Sequence, residues 1–272
     1  MSVSHLAEQH DFTRPWAKER KRIYLWSAIV MTIAFPGAII AAGVGVIPMV
    51  PATGVIACIV FTTPMLVVFA TAWRDAPGEN RTSLERANEF QMIWFFTAAV
   101  GSEVSWELPW LIGDVMGWMH LTPQDTWGFA WWYYGDVDKR YLTSDGALWG
   151  LELAVVILAV ILLVQWFRLR KAGTHDPKRI NALWWAFFSM AGMLTLFITY
   201  FLMEARHGFS NVRLGFWEIT AILGYENLPW LIAPIISLPF VARQLMYLAR
   251  TTPLVVGESP RDSAVKPTAA AR

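Results

Sequence analysis

Residues 147–167 read ALWGLELAVVILAVILLVQWF, an unbroken apolar stretch whose one charged residue is Glu152. About 20 apolar residues in helical form cross a bilayer core of roughly 30 Å, so the stretch predicts a spanning helix with a carboxylate inside it. Five more stretches share this length and character: 23–47, 54–73, 90–113, 182–203 and 228–248. With 56% hydrophobic residues, 16 Trp and only 16% charged residues in a chain of 272, the composition is that of a membrane protein. The expected fold is all-α, with six transmembrane helices in one domain over 23–250.

The flanking segments set the expected topology. An N-terminal arm, 1–22, ends in the basic RPWAKERKR, and the apolar run behind it is too long for a signal-peptide core, so no cleavage is expected. Placing that arm in the cytoplasm leaves only Lys139, Arg140, Arg206 and Arg213 of the 22 Lys and Arg residues outside. The positive-inside rule then makes both termini cytoplasmic, in the plasma membrane of a bacterium or the endoplasmic reticulum of a eukaryote. The connection 114–145 carries five aspartates and the aromatic run GFAWWYYG, and is expected to form an ordered cap at the outer membrane interface. The Pro-, Ser- and Ala-rich tail, 251–272, is expected to be disordered. The lone cysteine, Cys58, excludes an intramolecular disulfide and a thiolate metal site.

Two carboxylates stand out in the third stretch, GSEVSWELPWLIG at 101–113. An ionisable group inside a span costs on the order of 2.5 to 3.5 kcal/mol and is usually functional or paired. Glu103 and Glu107 are four residues apart and share one helix face. Two carboxylates that close in a low dielectric cannot both ionise cheaply, which suits a proton donor and acceptor pair. In the expected topology Glu152, Glu204, Glu226, Asn227 and Trp230 lie at the same outer depth, while the inner halves of the helices are nearly pure hydrocarbon. A hydrophobic cavity is therefore expected in the outer half, lined by the third to sixth helices. ELPWLI at 107–112 is echoed by NLPWLI at 227–232; a proline inside a span kinks it and opens space beside the polar residue. The tryptophans around these positions, Trp106, Trp110 and Trp230, offer π faces to a cation.

At these residues the sequence resembles the emopamil-binding protein family, membrane sterol isomerases that share a fold with the sigma-2 receptor. The resemblance runs over about 90–248. It is carried by YFLMEARHGF at 200–209, which looks like the family's Tyr-Phe-Leu-x-Glu-x-Arg-x-Gly-Phe signature, and by Asn227-x-x-Trp230 followed by LIAP. Glu107 falls at the second position of the family's His-x-x-x-Glu pair and Glu152 at the glutamate of the next helix, whereas Glu103 stands where the family has histidine. One helix is added before the family's five-helix core. The resemblance implies a double-bond shift in a sterol, with Glu107, Glu103 and Glu152 moving protons and with Asn227, Trp230, Trp106, Trp110, Glu204 and Glu226 binding substrate or stabilising a carbocation.

A membrane terpene cyclase would use the same acid and aromatic groups, and a non-catalytic sterol or lipid binder would use the same cavity. A transporter fits less well, because the polar groups have no counterpart in the inner half. No metal or redox cofactor is expected: His120, His175 and His207 are scattered without ligand spacing, and His5 and His10 lie in an arm expected to be mobile. The expected partners are a neutral sterol or isoprenoid lipid as substrate, membrane lipids, and no nucleic acid; a homodimer stays open.

Overall fold

The computed structural model describes residues 10–213 and 215–257. Among the described residues the chain is helical, with no strand beyond an isolated bridge between Asp138 and Val212. Helices α1 (Lys18–Gly43) and α2 (Pro51–Ala72) form a hairpin whose turn uses Gly45 at φ +75°, a conformation only glycine adopts without strain. Next comes one long helical run: α3 (Ser83–Phe96), a π-helical segment (Thr97–Glu107) and α4 (Leu108–Val115). It starts at a capping box, in which Thr82 Oγ1 accepts from the Glu85 amide at 3.2 Å while Glu85 accepts from the Thr82 amide at 2.8 Å.

A cap follows, with a 3₁₀ turn (Thr126–Gly128), α5 (Phe129–Gly135) and a second 3₁₀ turn (Lys139–Leu142). Then come α6 (Gly146–Lys171) and α7 (Pro177–Arg206), N-capped by Asp145 and Asp176, then α8 (Phe216–Glu218), a second π segment (Ile219–Tyr225), and α9 (Leu228–Gly257). Among the described residues five helices are long and apolar enough to cross a membrane: α1, α2, α6, α7 and the run Phe216–Thr252. The sixth expected stretch, 90–113, lies wholly in the helical run from Ser83 to Val115 but is not among the five. Gln91, Ser102, Glu103, Ser105 and Glu107 make it the most polar of the long runs.

Helix α7 packs between α6 and α9, α6 packs along the first π segment, and α9 packs along α3. Lipid tails are as apolar as side chains, so close approach rather than hydrophobic exclusion holds such helices together. Gly192 on α7 shows this: a Cβ there would come within 2.8 Å of Leu158 on α6. Helix α1 is peripheral. Only Arg20, Ser27 and Ala42 are buried in it, and it packs on α2 and on the cap segments Thr126–Gly128 and Phe129–Gly135.

Two expectations about the ends need correction. The arm is not mobile from His10 onward: Phe12 is buried, its amide donates to Thr174 Oγ1 at 3.1 Å, its carbonyl accepts from Asn88 at 3.2 Å, and the Arg179 guanidinium sits over its ring. His10 lies 3.1 Å from Thr82 Oγ1, and helix α1 already begins at Lys18. At the other end α9 continues through the first residues of the presumed disordered tail, because Thr251 and Thr252 are buried and the Thr251 hydroxyl bonds the Tyr247 carbonyl at 3.0 Å. His5 and the tail beyond Gly257 lie outside the described residues.

The basal end, where α1 begins and α9 ends, is locked by ions. Arg20 and Arg81 share Glu89, at 2.9 Å and 2.6 Å, and Tyr24 donates to the same carboxylate at 2.7 Å. Arg20 also holds Glu79, and Arg86 holds Asp75 at 2.6 Å. In this loop the Arg20 guanidinium lowers the Glu79 carboxyl to about 2, and Arg86, with Arg81, lowers Asp75 to about 2. Both groups titrate lower in the folded chain than the ordinary carboxylate value near 4, so their contribution is complete above that value and is lost as pH falls toward 2. The thermal unfolding midpoint in detergent should therefore drop between about pH 5 and pH 2, and Arg20→Gln should flatten that drop. An unchanged pH slope in the variant would refute the assignment.

Candidate functional site

The two Leu-Pro-Trp echoes share a backbone device. Proline cannot donate to the carbonyl four residues back, and its ring collides with that carbonyl in a regular helix. Before Pro109 the chain is π-wound over Thr97–Glu107, ending in a bond from the Leu108 amide to the Glu103 carbonyl. Before Pro229 it is π-wound over Ile219–Tyr225, ending in a 2.9 Å bond from the Glu226 amide to the Ala221 carbonyl. Both bonds reach five residues back, and the wider turns relieve the proline. π turns are frequent at functional sites, and these two end at the polar residues of interest.

Glu103 and Glu107, from the first π segment, meet Glu152 from α6. One oxygen of each lies within 4.8 Å of the other two, and all three residues are buried. The Trp230 indole donates to Glu103 Oε1 at 2.8 Å and the Tyr141 hydroxyl to Glu152 Oε1 at 2.6 Å. Among the described residues Oε2 of Glu103 and Oε2 of Glu107 have no hydrogen-bond partner. Two unit charges 4.8 Å apart repel by roughly 3.5 kcal/mol even at an effective dielectric of about 20. Three full charges here would be costly, and protons shared among the carboxyls are the cheaper arrangement.

The trio lines a cavity of about 390 Å³ that also takes in Trp106, Tyr133, Tyr134, Tyr200, Glu226, Asn227 and Trp230, within the size range of small-molecule sites. Its walls extend beyond the third to sixth helices expected from sequence, since α1 contributes Met31, Thr32, Phe35 and Pro36 and α2 contributes Phe61, Thr62 and Met65. The cap tyrosines are buried, whereas Thr32, Pro36, Val100, Gly101 and Ser105 line the cavity and are exposed on the flank of the bundle. The opening therefore lies sideways, between α1 and the first π segment.

The other expected residues are distributed as follows. Asn227 donates to the Tyr134 hydroxyl at 3.0 Å and to the Ile222 carbonyl at 3.2 Å. Glu226 accepts from the Cys58 thiol at 2.7 Å and the Tyr133 hydroxyl at 2.8 Å. Trp106 donates to the Ala130 carbonyl and accepts on its own carbonyl from Trp131, which ties the cap to the π segment. Trp110 is not in the cavity lining; fully buried, it donates to the Tyr141 carbonyl at 3.0 Å and packs edge-on against that ring at 4.8 Å. Glu204 also lies away from the cavity, in a buried network where it faces Arg140 at 3.2 Å and accepts from Asn211 at 2.9 Å.

Sequence reasoning missed Tyr133, Tyr134, Tyr141 and Tyr200. Three of them belong to the aromatic connection expected to form an ordered cap at the outer interface, and Tyr200 opens the YFLMEARHGF stretch. The three glutamates are also, among the described residues, the one group whose oxygens are close enough to share a metal ion, and an all-oxygen set suits a hard cation such as magnesium. No family model, curated protein or solved structure matches the chain.

Gly54 of α2 lets the cap reach the site. A Cβ there would stand 2.8 Å from the Tyr133 Cβ, an atom that cannot move without its backbone. Gly54→Ala should push α5 outward and separate Tyr133 from Glu226, at a cost of about 1–3 kcal/mol. A thermal midpoint equal to wild type would contradict this packing.

Proposed function

We propose that the chain is a six-span membrane protein, its basal end and both termini cytoplasmic, that shifts a ring double bond in a sterol or related polycyclic lipid. The observation that carries this reading is the buried trio Glu103, Glu107 and Glu152 in the wall of a largely apolar cavity. The resemblance to the emopamil-binding protein family supports it, with Glu107 and Glu152 at the family's acidic positions, Glu103 in place of its histidine, and α1 added before its five-helix core. The basic basal loops support the orientation.

In the proposed reaction a glutamic acid of the trio adds its proton to one alkene carbon. The π electrons form the new C–H bond and leave a carbocation on the adjacent carbon. A glutamate then removes a proton from the carbon on the other side of the cation, and that C–H pair becomes the new double bond. Atoms balance without an oxidant or reductant, and the donor is reprotonated between turnovers through the carboxyl oxygens, which lie within 4.8 Å of one another and exchange their protons with solvent. The π faces of Trp106 and Trp230 and the Asn227 amide oxygen stabilise the cation.

No Lys or Arg lines the cavity, so the substrate is a neutral lipid rather than one with an anionic head. Cationic amphiphiles should inhibit, because an amine at the cation position meets the same carboxylates. The sideways opening suits a substrate dissolved in the bilayer.

The test is turnover of a sterol bearing an eight-to-nine double bond by purified protein. Glu107→Gln keeps shape and hydrogen bonding but removes the proton, and should lower the rate about 10² to 10⁴-fold while substrate still binds. Undiminished turnover in that variant would sink the assignment, and ring closure of a linear isoprenoid would move it to a cyclase. Binding without turnover would leave a lipid-binding protein. Treatment with a chelator should leave the rate unchanged; loss that magnesium or manganese restores would make the trio a metal site.

A further inference from the structure

The glutamates come from two elements that pack on each other, the first π segment and α6, and a second wall of the cavity is the α1–α2 hairpin. That wall carries hydroxyls. Thr62 is only 3% exposed and lines the cavity, yet among the described residues its hydroxyl has no hydrogen-bond partner. A threonine in a helix has the carbonyl four residues back within reach. Its neighbour Thr63 takes that option, bonding the Ile59 carbonyl at 2.6 Å, as do Thr195 at 2.9 Å and Thr199 at 2.8 Å. Thr32 of α1 lines the cavity at its exposed opening, where among the described residues its hydroxyl makes no hydrogen bond, and its carbonyl lacks the usual helical donor because Pro36 has no N–H. Across the opening, Ser102 of the π segment also lines the cavity, and among the described residues its hydroxyl makes no hydrogen bond.

Hydroxyls left unpaired in an apolar, membrane-level cavity lose free energy unless something bonds them. Thr62 and Thr32 can each donate and accept, and no charged side chain of the hairpin lines the cavity, so the matching group is a neutral oxygen. We propose that Thr62, with Thr32 and Ser102, forms a subsite for the hydroxyl or ketone oxygen of the lipid whose double bond meets the glutamates. The substrate class then narrows to lipids with one neutral oxygen function, their hydrocarbon body held by Phe35, Phe61 and Phe197. The identity of the lipid rests on the proton-transfer reading of the same cavity.

The test compares a sterol bearing an eight-to-nine double bond with its hydrocarbon analogue lacking the hydroxyl, both titrated into protein in phosphatidylcholine nanodiscs. Wild type should bind the alcohol more tightly. Thr62→Val, nearly isosteric, should weaken the alcohol about tenfold and leave the hydrocarbon unchanged, and Thr62→Ser should restore the alcohol's affinity. A thermal midpoint checks that each variant is folded. Equal losses for both ligands, or no loss for either, would overturn the subsite, the latter placing a water rather than a lipid oxygen against Thr62. If that occurs while Glu107→Gln still abolishes turnover, the subsite falls and the isomerase stands; if neither ligand binds wild type, both fall.

Discussion

A bilayer leaves a carboxyl group nothing to bond but protein, and three of them gathered in one place dictate much of the architecture around them. Glu103 and Glu152 are each held by one aromatic donor, Trp230 and Tyr141. Those donors need their own supports. Trp230 packs edge-on against the fully buried Trp94, and Tyr141 is fixed by Trp110 and by the rings of Trp106 and Tyr134. The cap is thus part of the site, because its tyrosines close the cavity away from the exposed flank and supply hydrogen bonds to Glu152 and Glu226. Closed on that side, the cavity keeps the carboxyls in a low dielectric, where their mutual repulsion is strong.

Backbone winding brings those groups together. The two prolines at 109 and 229 each end a π-wound stretch, one delivering Glu103 and Glu107 and the other leading into Glu226 and Asn227. The echo is not symmetric in its outcome. Trp230 turns its N–H to Glu103, whereas Trp110 of the first copy lies behind the cavity and steadies Tyr141. The tryptophan of one short motif therefore lines the cavity in one helix and acts as a support in the other.

How much of this the sequence reveals depends on the kind of signal. The apolar lengths of 147–167 and 182–203 are legible because span length is a one-dimensional property, and each falls inside one helix, α6 or α7. Glu103, Glu107 and Glu152 are legible because a carboxylate in hydrocarbon is anomalous wherever it points. The tyrosines are not, since an aromatic near an interface reads the same whether it faces lipid or a cavity. Glu204 shows the opposite error: charge at the right depth singled it out, but Arg140 and Asn211 engage it in a separate network. The extension of α9 and the docking of the arm at Phe12 were hidden because both rest on contacts distant in sequence, to His175 and to Thr174 and Asn88.

The central claim is that the trio delivers a proton to a carbon atom, and isotope incorporation reads that event directly. Purified protein would be incubated in deuterated water with a sterol bearing an eight-to-nine double bond, and the recovered lipid examined by mass spectrometry and deuterium NMR. Because carboxyl protons exchange with solvent between turnovers, the account gives a product with its double bond moved and a solvent deuteron on a former alkene carbon. A shifted alkene without solvent deuterium, or recovery of unlabelled starting sterol after long incubation with protein that binds it, would contradict it.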